Sequence, residues 1–113
     1  MTQEILKLTG RQRAALERLI EVAHRDTGQS RKVANFLLAW WNAAEWGGFD
    51  LTDLWSVDRA IADDMLTILS LLSRCACYPD TFGYGPQFAA LVQEWRPTLD
   101  ANLSQFNQSQ GGK

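Results

Sequence analysis

Histidine occurs once in this chain, cysteine twice and proline three times. His24 has no cysteine or second histidine at ligand spacing, so a transition-metal centre lacks donors from which to build. Cys75 and Cys77 stand two apart. On a helix such side chains point about 200° apart, which no unstrained disulfide spans, and two thiols fall short of a structural zinc set. A reducing cytoplasm fits this cysteine usage. No stretch alternates apolar and polar residues with β-branched enrichment, so no strand is predicted. Met1 to Leu8 is neither a signal peptide nor a membrane span, and no internal repeat is present. Ser30, Ser56, Ser70 and Ser73 have no neighbouring base, and the G-x-S-x-G motif is missing. Gly83-Tyr84-Gly85 lacks the third glycine and the preceding strand of a phosphate loop. The net charge of −2 is too small to draw the whole molecule to nucleic acid or a membrane. These absences argue against catalysis and against any cofactor, and in favour of binding.

What is present is enough for one folded unit. The chain has 113 residues, 46% apolar and 21% charged, which are globular values for a single domain. The reading is a flexible lead over 1–8, one helical domain over 9–103 and a disordered tail over 104–113, where Gln, Asn, Ser and Gly dominate. Thr9 with Gln12 has capping-box spacing. Ala15, Leu16, Leu19, Ile20 and Ala23 then recur at helical period, which predicts a helix from 10 to about 26. Ser30 is expected to cap a second helix with Val33, Phe36, Leu37, Trp40 and Ala44 on its apolar face. Leu38 and Trp41 widen that arc to roughly 200°, twice what a surface helix needs, so this helix should touch neighbours on two sides. Gly47 and Gly48 stop it. Residues 50–55 read as a short turn, capped by Asp50 or Thr52, that docks Leu51, Leu54 and Trp55 on the core. Asp58 should cap a third helix reaching 75 or 76, and Pro86 should open a fourth, which Pro97 either ends or follows with a last turn containing Leu99 and Leu103. The predicted fold is all-α: a compact bundle of four main helices plus one short helix, around helix two or three.

Two charged groups and one aromatic are the candidate binding residues. Residues 1–35 hold seven Lys/Arg against four Asp/Glu, and residues 36–113 hold four against nine. Arg11, Arg18 and Arg25 repeat every seven residues beside the apolar face of helix one, with Arg31 and Lys32 beyond the turn. Such a stripe can track phosphates, although Glu17 and Glu21 partly neutralise it and Glu21 precedes Arg25 at the favourable pairing distance. Asp50, Asp53, Asp58, Asp63 and Asp64 fall within fifteen residues. Their spacing does not fit an EF-hand. Capping, for Asp50, Asp53 and Asp58, and solvation are one reading of all five. Asp50, Asp53, Asp63 and Asp64 are the candidates for an acidic surface facing a basic partner. Five tryptophans exceed the needs of a small core, and tryptophan is enriched at interface centres. Core packing is expected for Trp40, Trp41, Trp55 and Trp95. Trp46 lies opposite the core face of helix two and is expected to be exposed.

Asp26-Thr27-Gly28-Gln29-Ser30, Phe36-Leu37-Leu38-Ala39-Trp40-Trp41-Asn42-Ala43, Gly47-Gly48-Phe49-Asp50, Asp53-Leu54-Trp55 and Tyr78-Pro79-Asp80 together resemble an uncharacterised domain family. Ala60-Ile61-Ala62-Asp63-Asp64-Met65 and Gly83-Tyr84-Gly85 continue the match, which covers about 10 to 97. The family consists of short proteobacterial proteins of plasmids, integrative elements and prophages, and it assigns no activity and no site residues. The resemblance implies a small anti-CRISPR protein, which would bind a CRISPR effector complex stoichiometrically or grip the single-stranded DNA exposed in it. The alternative is an accessory binding protein of plasmid maintenance or conjugation. A monomer or homodimer without membrane contact is expected in either case.

Overall fold

The first two main helices begin at a threonine that accepts a free N–H, the fourth carries a proline in its first turn, and the third begins after Asp58 with no side-chain cap. The computed structural model describes residues 7–99. The predictions for residues 1–6 and 100–113, the tail included, fall outside them. In α1, Gly10–Ala23, the Gln12 N–H donates to Thr9 Oγ1 at 3.0 Å while the Thr9 N–H donates to Gln12 Oε1 at 2.9 Å. Two orphan donors are thus met reciprocally. The helix buries Ala15, Leu16, Leu19, Ile20 and Ala23, the face its periodicity predicts. It ends three residues earlier than predicted, because Thr27 is already extended and caps the next helix.

Thr27, not Ser30, starts α2, Gly28–Trp46. The Ser30 N–H donates to Thr27 Oγ1 at 3.0 Å, and the two hydroxyls lie 2.7 Å apart. Ser30 is wholly buried in the first turn, so it is the partner of the cap. Asn42 breaks this helix from within: its backbone is extended, at φ −167° and ψ 88°. The Asn42 Oδ1 accepts the Glu45 N–H at 3.2 Å and so caps a final turn. The break resets the helical phase, and Trp46 is buried at 8% exposure rather than exposed.

A six-residue 3-10 helix, Leu51–Ser56, follows, capped by Asp50, whose Oδ1 accepts from the Thr52 N–H at 2.9 Å. It buries none of its residues, which corrects the expected docking of Leu51 and Trp55; only Leu54 packs partly against the core. Helix α3, Arg59–Leu72, turns Met65 and Ile68 fully inward. It stops before either cysteine. Beyond its end the chain buries Cys77 and leaves Cys75 partly buried. A single 3-10 turn, Pro79–Phe82, leads into α4, Gly85–Trp95, with Pro86 in its first turn.

Helix α1 packs between α2 and α3, and α2 packs between α1 and α4. Helix two is thus central, as its wide apolar arc predicts, and α3 is a flank lying chiefly on α1. Phe88 of α4 is wholly buried, with Trp40 and Trp41 meeting it edge to face at 5.9 and 5.8 Å between ring centroids. Polar ties close the assembly. Trp95 Nε1 donates to the Ala23 carbonyl at 2.8 Å. Arg13 Nη1 donates to Tyr84 Oη, which donates to Glu17 Oε2 at 2.6 Å. Arg96 holds the broken end of α2: its Nε donates to the Trp46 carbonyl at 2.9 Å and its Nη2 to Asn35 Oδ1 at 2.6 Å. No described segment is a strand. The all-helical prediction of four main helices therefore holds. Among the described residues there are two short 3-10 helices where one short helix was predicted, and 97–99 are helical again after α4.

Candidate functional site

The predicted acidic and basic residues do not form two opposed surfaces. Arg18 on α1 and Asp64 on α3 face each other where the helices pack, and the guanidinium grips the carboxylate with both prongs, at 2.8 and 2.9 Å. Asp64 is only 13% exposed and Arg18 59%. The bidentate fork is the strong geometry for such a pair, and the bond raises the Arg18 pKa above its ordinary value. Arg18, Arg25, Glu21, Asp58 and Asp63 share one open groove of about 500 Å³ between α1 and α3. There Arg25 reaches Glu21 at 3.5 Å and Arg59 reaches Asp63 at 3.8 Å. Charges of both signs interleave and largely satisfy one another.

The remaining candidates scatter. Arg11 lines a separate groove beside Thr9, Asp63 and Leu66. Arg31 is exposed near the start of α2, and Lys32 donates to Ser56 Oγ at 2.6 Å, joining α2 to the first 3-10 helix. Gln29 joins α2 to the start of α3, with its Oε1 accepting the Asp58 N–H at 2.6 Å. His24 Nδ1 lies 2.6 Å from Glu94 Oε2, linking the ends of α1 and α4. Among the described residues no three of His, Cys, Asp and Glu gather as a metal site would require, and no helix is long and apolar enough to cross a membrane.

Two features outside the predicted set stand out. The first is the helix Leu51–Ser56, where Trp55 is 85% exposed and Leu51 67%. Asp50 and Asp53, both predicted binding residues, flank them on the same element. Asp50 is held below its ordinary pKa by the Thr52 hydroxyl and N–H that donate to it. A tryptophan left this open is the inverse of the burial preference of large aromatics. Trp55 is thus the exposed tryptophan that the sequence reading placed at Trp46.

The second is a cleft where α2 breaks. Trp40, Trp41 and Asn42 form one wall, and Tyr78, Asp80 and Thr81 the other, around about 510 Å³. Tyr78 is 60% exposed. A capping-box spacing inside helix two, Asn42-x-x-Glu45, is the sequence signal that marks this break.

Residues 13–96 match a family described as a family of unknown function (DUF7673). No curated protein matches the chain, and no solved structure matches it.

Proposed function

The chain belongs to the DUF7673 family of unknown function, and from that premise we propose that it works by stoichiometric binding, as an inhibitor of a CRISPR interference complex, and not by catalysis. The observation that carries the binding reading is Trp55. It stands 85% exposed beside Leu51 on an element with no buried residue. Held in water, that apolar area is a cost that a partner's pocket would relieve. Tryptophan is also the side chain most often found to dominate an interface.

The surroundings suggest the partner's chemistry. Asp50 and Asp53 flank the tryptophan, so the complementary surface is an apolar pocket rimmed with Lys or Arg. The basic nucleic-acid groove of an effector has that character. The direct DNA route has less support, because Arg18 is committed to Asp64 and Arg25 faces Glu21. Size and the resemblance read in the sequence support inhibition as the outcome of binding.

The test is a phage-plaquing assay in matched CRISPR hosts, run beside a pull-down with nuclease treatment. The wild-type chain should restore plaquing and retain an effector complex after nuclease. Trp55→Ala should weaken capture about 30-fold, the effect of losing a hot spot, without lowering the melting temperature. Unchanged interference in every host subtype would refute inhibition. Recovery of transfer or partition proteins instead would establish the accessory reading.

A further inference from the structure

We propose that the cleft at the α2 break is a binding site for an organic cation, the ammonium or guanidinium head of a ligand. It lies apart from the Trp55 surface and stands or falls independently of it. Three aromatic side chains line the cleft, Trp40, Trp41 and Tyr78, together with the Asp80 carboxylate. Ring faces carry negative potential, and a cation within about 6 Å of them is attracted, tryptophan giving the strongest effect. A carboxylate at the rim supplies the charge. Asp80 takes part in none of the ion pairs among the described residues.

The walls are fixed in advance. Trp40 is pinned by its Nε1, which donates to the Cys77 carbonyl at 2.8 Å. Both indoles rest edge-on against the buried Phe88 ring. Tyr78 follows Cys77 directly, and the Tyr78 N–H donates to Thr81 Oγ1 at 3.4 Å, which sets the start of the 3-10 turn that carries Asp80. Asn42, where α2 breaks, lines the same cleft. Rigid walls remove much of the ordering cost of capture.

The probes are tetramethylammonium, N-acetyl-arginine amide, N-acetyl-trimethyllysine amide and, as uncharged isostere of a trimethylammonium, 3,3-dimethylbutan-1-ol. Each is titrated into the full chain while the indole N–H resonances and tryptophan fluorescence are followed. Saturable shifts at Trp41 are expected with the cations, with the isostere at least about tenfold weaker. Tyr78→Ala and Asp80→Asn should each weaken binding by about fivefold or more. Both side chains are exposed, so the melting curve should stay in place and report that the fold is intact. Tightest binding of an amino-acid amide assigns the site to a side chain of a protein partner, and tightest binding of tetramethylammonium assigns it to a small quaternary ammonium. No saturation with any cation, or equal binding of the isostere, overturns the proposal.

Discussion

Replacing Trp40 tests the α2–α4 interface most directly. The side chain makes two separable contributions: its ring meets Phe88 at 5.9 Å, edge to face, and its Nε1 donates to the Cys77 carbonyl at 2.8 Å. Trp40→Phe keeps a ring and removes the donor. The lost hydrogen bond should cost about 1 kcal/mol. Trp40→Ala removes both. A fully buried large aromatic costs about 3–5 kcal/mol when truncated to alanine; Trp40 is half-buried, so the expected total lies at the lower end, about 3 kcal/mol. At about 4–8 °C per kcal/mol for a domain of this size, the melting temperature should fall by about 12–24 °C for alanine and about 4–8 °C for phenylalanine. Urea titrations followed by helical circular dichroism should show lower midpoints with unchanged slopes, the mark of lost stability in the same fold. A shift below about 1 kcal/mol for Trp40→Ala would refute the reasoning. Equal losses for the two variants would mean that the hydrogen bond, not the ring, holds the interface.

Burial pushes the Cys77 thiol up to about 12, so it should remain protonated at about pH 8 and resist alkylation until the protein unfolds; mass mapping after brief iodoacetamide treatment checks this, and rapid native modification of Cys77 would contradict it. Asp50 has a folded pKa below its ordinary 3.8, so it contributes stability that is present above 3.8 and lost as the pH falls through the folded value. Protection of the Thr52 N–H against exchange should therefore fade below that range, and a flat profile would remove Asp50 from the cap. Removing Arg18 leaves the largely buried Asp64 carboxylate unpaired, so Arg18→Ala should lower the melting temperature at least as much as Arg18→Ala with Asp64→Ala; strictly additive losses would show that the pair is uncoupled.

Much of the fold is legible in the sequence because its signals are local. Thr9 and Gln12 are three apart and cap one another within a single turn. Ala15, Leu16, Leu19, Ile20 and Ala23 need only the helical repeat to define a face. The wide arc of helix two predicts its burial between two neighbours, which α1 and α4 provide. Errors in the element boundaries arise where two local signals compete. Thr27 and Ser30 both suit a cap, and the extended backbone at Thr27 decides between them. Cys75 and Cys77 continue a helical count only if the helix continues, and Ser73 already ends it.

The candidate site was far less legible, because it depends on phase and on partners distant in sequence. A helical count carried through Asn42 puts Trp46 outside, and one extended residue turns it inside. Trp55 belongs to an element too short to have a reliable face, so its apolar character predicts docking where the structure leaves it in water. Arg18 and Asp64 read as opposite surfaces because they lie 46 residues apart, yet the packing of α1 on α3 brings them to 2.8 Å. Charge counted along the chain therefore does not show which side chains pair within the fold. Only side chains that the fold leaves unpaired remain to bind anything else. By that criterion Asp50 and Asp53 keep a place only as neighbours of Trp55, while Asp64 is spent inside the structure. The residues with the most unsatisfied surface, Trp55, Leu51 and Tyr78, are apolar ones that a search for charge does not find.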